Sequence, residues 1–156
     1  MKPEDYIKKL NLTAHPEGGY FKETYRGYKV LDTERGKRNS ATLIYFLLDS
    51  GNYSRFHRIA FEEIWMFHAG APLHIHLIHN DGTLETRELS LEANPQVIIP
   101  PHTIFGAETT GDFSLASCMV SPGFDFKDFE LFSKDYMLKV FPQQKEVIER
   151  LHSNEV

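Results

Sequence analysis

A single cysteine, Cys118, stands among the 156 residues, so no disulfide can close within the chain and nothing points to secretion. It lies in the apolar run Leu115–Val120 and reads as a small buried hydrophobe rather than a nucleophile. Basic residues are outnumbered, 17 against 22 acidic, for a net charge of -5. Their one cluster, Glu34-Arg35-Gly36-Lys37-Arg38, is too short for a stripe and reads as a solvated hairpin tip. Nucleic acid is therefore excluded as a partner, because phosphate contacts need clustered Lys and Arg. The N-terminus, Met1-Lys2-Pro3-Glu4-Asp5, carries no apolar signal region, and the longest strongly apolar run, Leu43–Leu48, is far below membrane-spanning length. These absences predict a soluble, cytoplasmic protein without a membrane partner. A Gly-rich phosphate loop, a serine nucleophile elbow and a Cys-x-x-Cys pair are missing too.

What is present is an aromatic core and closely spaced turns. Hydrophobic residues make up 41% and aromatics 13%, with 12 phenylalanines, enough for one domain over 1–156. Turn signals at Pro16-Glu17-Gly18-Gly19, Asp49-Ser50-Gly51-Asn52, Gly70-Ala71-Pro72, Asn80-Asp81-Gly82, Pro100-Pro101, Gly111-Asp112 and Pro122-Gly123 separate short β-rich runs. The expected strands are 20–28, 41–48, 54–60, 64–68, 73–79, 84–90, 96–99, 104–108 and 113–120. That pattern predicts an all-β sandwich or barrel with a core over about 12–123. Helices are expected only at the ends, over 3–10 and in two pieces of a tail over about 128–152, broken at Pro142.

The chemistry-bearing centre lies between Gly51 and Gly70, where His57 is followed by Ile59 and Glu63. Strand alternation puts Arg55, His57 and Ile59 on one face, and Glu63, Trp65 and Phe67 on one face of the next strand. If the two strands form a hairpin, His57 and Glu63 converge in a pocket lined by Ile59, Trp65 and Phe67. The carboxylate would raise the imidazole pKa and burial would lower it. Tyr20, Glu23, Tyr25 and Arg26 on the first long strand are candidate ligand contacts, or one wet face of an amphipathic strand. Tyr45 can offer a phenol to the pocket, or be core. The series Phe124, Phe126, Phe129 and Phe132 reads as packing that plugs the sandwich end. His74 and His76 share a face, but Leu73, Ile75 and Leu77 make the opposite one wholly apolar, which would leave the histidines in solvent.

The spacing Gly51-x5-His57-x-Ile59-x3-Glu63-x6-Gly70 resembles the first metal-binding motif of the cupin superfamily, with Ile59 in place of its second histidine. In the second motif, aligned on Pro100, Phe105 takes the place of the metal histidine and His102 that of a glycine. Of the four usual ligands, only His57 and Glu63 remain, too few for a transition metal. Three blocks narrow the resemblance to a small cupin family of unknown function. They are His15-Pro16-Glu17-Gly18-Gly19-Tyr20-Phe21-Lys22-Glu23-Thr24-Tyr25-Arg26, the centre Phe56-His57-Arg58-Ile59 with Glu63-Ile64-Trp65, and Pro122-Gly123-Phe124-Asp125-Phe126-Lys127-Asp128-Phe129-Glu130-Leu131. The resemblance implies an RmlC-like cupin jelly roll with short N-terminal and C-terminal helices, and a homodimer whose N-terminal strand crosses to the partner. It implies no established reaction.

The leading expectation is a metal-independent pocket for a carbohydrate-like or other small polar ligand. Trp65, Phe105, Phe67, Glu23, Tyr25 and His102 are its expected contacts. If it is catalytic, proton transfer is the most economical chemistry: an isomerase or epimerase with His57 as general base, Glu63 orienting it and Tyr45 as acid. A non-catalytic sugar-binding cupin is the first alternative. A metal-dependent oxygenase or isomerase is the second, with a divalent cation at His57, Glu63, His74 and His76; the leading reading needs no cofactor.

Overall fold

The computed structural model describes residues 1–155. Helix α1 (Pro3–Lys9) starts on a proline, with the Asp5 carboxylate accepting from Lys2 N–H at 2.8 Å and basic residues in its last turn. Thirteen strands follow: β1 (Thr13–Ala14), β2 (Tyr20–Arg26), β3 (Val30–Thr33), β4 (Gly36–Asn39), β5 (Thr42–Asp49), β6 (Ser54–Ile59), β7 (Glu62–Gly70), β8 (Leu73–Ile78), β9 (Leu84–Leu89), β10 (Gln96–Ile99), β11 (Ile104–Thr109), β12 (Phe113–Ser121) and β13 (Phe129–Leu131). Helices α2 (Lys134–Val140) and α3 (Lys145–Leu151) close the chain. All nine expected strands are there.

The strands form two packed antiparallel sheets, ordered β1-β2-β5-β12-β7-β10 and β13-β6-β11-β8-β9, with β3-β4 as a separate hairpin. Adjacent apolar strands in sequence thus separate in space: β6 and β7 are not a hairpin but lie in opposite sheets. The hairpin expected at Glu34–Arg38 is there, but its strands β3 and β4 were not expected, because their sequence is charged. Its tip is not simply solvated, either: Arg38 is buried and donates from Nε (2.8 Å) and Nη2 (2.9 Å) to Asp128, which also accepts from Arg35 at 2.6 Å. Two charges pinned in this bidentate way tie the hairpin to the segment before β13.

Register aligns the inward side chains of the larger sheet in rows across its strands. One row is Glu23, Ile44, Cys118, Trp65 and Val97; the next is Arg26, Thr42, Val120, Glu63 and Ile99. The second row exists because β2 bulges between Glu23 and Tyr25. An extra residue inverts the alternation, so Arg26 turns inward and Tyr25 outward, against the simple period of two.

The outer faces differ. That of the smaller sheet lies under α2 and α3, where Phe56, Ile78, Ile104, Met137, Phe141, Val147, Ile148 and Leu151 form a second core. That of the larger sheet is covered by α1 only around Leu47 and Leu115. No helix among the described residues is long and apolar enough to cross a membrane.

Candidate functional site

Between the sheets, at the end where β2, β5, β6 and β12 converge, lies a cavity of about 310 Å³. Its walls are apolar over Phe21, Ile44, Phe46, Ile59 and Val120. Phe124, Phe126 and Phe129 pack edge to face with centroids 5.0, 5.9 and 6.0 Å apart and close one side. Arg26 braces this aromatic wall by donating to the Phe124 carbonyl at 3.2 Å, while its fork grips Glu23 at 2.7 and 3.2 Å.

The buried charge centre begins in the turn before β2. Gly18 and Gly19 have φ of +111° and +77°, and a Cβ on Gly18 would collide with the Tyr53 carbonyl, so only glycine serves there. Arg55 clamps this turn: its backbone N–H donates to the Glu17 carbonyl at 2.8 Å and its guanidinium to Pro16 O. The result swings the Glu17 side chain inward, where Oε2 lies 2.8 Å from His57 Nε2, both residues being buried. The other ring nitrogen, Nδ1, is 2.7 Å from the Arg55 carbonyl. A carbonyl only accepts, so Nδ1 carries a proton, and a second proton is shared between Nε2 and Glu17. Burial opposes the imidazolium, but Glu17, the Arg55 carbonyl and Glu63 together raise the His57 pKa. Glu17 is likewise pushed up by burial, yet His57 and His15 hold it below its usual value. The pair is an imidazolium and a carboxylate. His15 stays neutral because burial lowers its pKa, and its Nδ1 accepts from Glu17 N–H at 3.1 Å.

Glu63 is the contrasting group. It is 8% exposed, faces the cavity, and has no Lys, Arg or His within 4.0 Å of its carboxyl among the described residues. Burial first, and the neighbouring Glu17 charge second, push its pKa to about 7. Burial and the carboxylates raise the Cys118 thiol well above its usual value, so it is no nucleophile.

The structure relocates most of the expected contacts. His57, Glu63 and Glu23 line the cavity. His57 and Glu63 face each other from opposite sheets instead of pairing across a hairpin, and the partner of His57 is Glu17, which sequence reasoning read only as part of a turn. Its signal was an acidic residue held between Pro16 and two glycines, beside another histidine. Tyr45 points away from the cavity, since Thr42, Ile44 and Phe46 take the inward positions of β5; it packs near His68 with centroids 6.0 Å apart, so it is no acid for this site. Tyr25, 53% exposed, is turned out by the bulge. Trp65 is sealed in the core beyond Cys118, and Phe67 packs against that core. Phe105 lies behind His57 at 4.3 Å and supports the ring without reaching the cavity. His102 is exposed in a turn at φ +60°. Conversely, Phe124, Phe126 and Phe129, expected as packing, line the cavity, and only Phe132 joins the core under the C-terminal helices.

The residues present do not fit the divalent cation that this fold family implies. The positions of the second and third histidine ligands are Ile59 and Phe105, both buried and apolar. His74 and His76 lie on the outer face of β8, on the opposite side from Leu73, Ile75 and Leu77. Contrary to the expectation that it would lie in solvent, His76 is buried near α3 with both ring nitrogens engaged, to Thr86 Oγ1 (2.8 Å) and Glu108 Oε2 (2.7 Å). Among the described residues no three His, Cys, Asp or Glu side chains are grouped to hold an ion.

Comparison with known proteins agrees with this architecture. An uncharacterized protein of Saccharomyces cerevisiae, YML079W, is 29% identical over 87% of this chain and 78% of its own length. A hypothetical protein from Leishmania major has a solved structure with a TM-score of 0.90 and 34% identity, covering 97% of this chain and 98% of that one. Protein SO0799 from Shewanella oneidensis superposes with a TM-score of 0.89 at 44% identity, covering 97% of each chain. The family model described as "Cupin superfamily (DUF985)" matches residues 4–132. That match spans the turn carrying Glu17, the strands carrying His57 and Glu63, and the phenylalanine wall, and the chain therefore belongs to this family of the cupin superfamily.

Proposed function

We propose that the chain is a small-molecule-binding cupin whose cavity moves a proton on a small polar ligand without a metal, in the manner of an isomerase or epimerase. The observation that carries this is Glu63: a cavity-facing carboxyl brought to about 7 beside the ion pair of Glu17 and His57. A group titrating near working pH is the efficient proton carrier, and two carboxyls with values driven apart divide the roles between them. His57 has both ring nitrogens engaged, so its part is to hold Glu17 ionised; Glu63 exchanges the proton.

The test is incubation with small polar metabolites (aldoses, ketoses, amino sugars and hydroxy acids) in deuterated water, following loss of C–H signals by NMR. Exchange by the wild type and at least about a 100-fold slower rate in Glu63→Gln are expected. Undiminished exchange in that variant would remove Glu63 from the chemistry. A ligand that binds without exchanging would favour the non-catalytic binding cupin.

We also propose a homodimer through the larger sheet. Its outer face carries an apolar row, Tyr25, Leu43, Met119, Ile64 and Ile98, unbroken across β2, β5, β12, β7 and β10, with Ile98 52% exposed. Contiguous apolar rows of this kind mark interaction surfaces. The expected crossing of the N-terminal strand would exchange the pairing that β1 makes here with β2. Ile64→Lys with Met119→Lys is expected to halve the mass seen by sedimentation equilibrium. A wild type that is monomeric at tens of micromolar would refute the interface.

A further inference from the structure

The charges around the cavity do not balance, and the imbalance has a sign. Four carboxyl groups line it, those of Glu17, Glu23, Glu63 and Asp125. Glu17 is matched by His57, and Glu23 by the fork of Arg26. His15, the other lining imidazole, is kept neutral. Glu63 and Asp125 are left with no ion-pair partner among the described residues; Asp125 Oδ1 accepts only the backbone N–H of Lys127, at 2.8 Å. Glu63 is the more telling of the two, because it is more than nine-tenths buried and directed into the cavity. An isolated ionised carboxylate is costly at such a site. It is tolerated there as the neutral acid, or beside a cation.

The remaining surface suits the body of such a cation. Ile44, Ile59 and Val120 are apolar, and three phenylalanines form one continuous wall. Aromatic faces attract positive charge and repel negative charge. A phosphate or carboxylate ligand would meet two unmatched carboxyls and no unmatched cation.

We propose that the ligand of this cavity is an organic cation, a protonated amine on a compact apolar or ring-shaped body, whose charge docks on Glu63 and whose body lies against Phe124, Phe126 and Phe129. This rests on the cavity being the ligand site, as proposed above, and names the ligand class for it. Docking removes the proton from Glu63 to solvent and leaves the carboxylate, the form that can accept a proton from the ligand. The cation thus prepares its own base.

Three near-isosteric probes decide it: cyclohexylammonium, cyclohexanol and cyclohexanecarboxylate, titrated by calorimetry into the full chain at pH 8. The ammonium is expected to bind at least about tenfold tighter than the alcohol, and the carboxylate weakest. Its affinity should rise about tenfold from pH 6 to pH 8, as Glu63 no longer has a proton to lose, while the alcohol shows no such gain. Over that range Arg26 and an aliphatic amine stay charged, and of the groups facing Glu63, Glu17 stays ionised and Cys118 protonated. Any loss of the His57 proton adds to the gain, and its share is the rise that persists in Glu63→Gln. Glu63→Gln should bring ammonium and alcohol within about twofold of each other, and Asp125→Asn should narrow the gap in part. Equal binding of all three probes, or a preference that survives Glu63→Gln, overturns the cation assignment while leaving the pocket as a ligand site. Failure of every probe to bind at millimolar concentration overturns both.

Discussion

Glu17→Ala is expected to destabilise the protein by roughly 3–5 kcal/mol, the usual cost of stripping one partner from a buried ion pair. The loss is large because His57, 2% exposed, would keep its Nδ1–H to Arg55 but lose the carboxylate partner of its buried charge at Nε2. For a chain of this size it corresponds to a drop in Tm of roughly 10 °C. The pH dependence identifies the source. Glu17 is held below its usual value, so its contribution is complete above the unfolded value of 4.5 and is lost as pH falls through the folded one. His57 is held above its usual value, so its contribution is complete below 6.5 and is lost as pH rises through the folded one. The pair therefore stabilises most between about pH 4.5 and 6.5, and the gap between wild type and Glu17→Ala should be widest there. Urea denaturation across that range measures it. His57→Ala and the double variant complete a cycle in which the two losses are expected to be strongly non-additive. Strict additivity, or a single-variant loss below about 1 kcal/mol, would mean that the contact does not stabilise the fold.

Glu63→Gln is expected to act in the opposite direction, raising stability in mild alkali by up to about 3 kcal/mol. The pKa of Glu63 is about 7 against an ordinary value of 4.5, so the folded protein binds this proton more tightly than the unfolded chain does. Stability from this group is complete below the unfolded value and falls as pH rises through the folded one. Glutamine keeps the shape and cannot ionise. Wild type and variant should be close at pH 5 and diverge by pH 8, the variant being the more stable. His57 also loses its contribution at alkaline pH, but it does so in both proteins, so the difference isolates Glu63. Parallel pH profiles would show that Glu63 titrates normally and would remove the basis for its role as proton carrier. A stabilising change that abolishes proton exchange would instead mark Glu63 as a residue kept for function at a cost in stability.

Much of the architecture follows from local pattern. Val, Ile and Phe runs with period two, cut by Gly and Pro, dictate the strands wherever one face is dry, and the helical spacing of Val147, Ile148 and Leu151 marks the stripe that covers the smaller sheet. The strands β3 and β4 and the burial of Arg38 escaped because Arg38 and Asp128 supply in tertiary space what apolar residues supply elsewhere. The bulge in β2 escaped because no residue around Thr24 announces it; it is set by pairing with β5.

The amino-acid order by itself determined that this chain makes short strands around an aromatic interior, that His57 and Glu63 point inward, and that two of the usual metal-ligand positions are Ile59 and Phe105. Alternation and composition act on neighbouring residues, and so can be read along the chain. The partner of His57, the inward turn of Arg26, the exclusion of Tyr45 and the phenylalanine wall were decided only when two sheets met. Each depends on residues far apart in sequence, from Glu17 to Phe129, and on a register that one extra residue in β2 reverses.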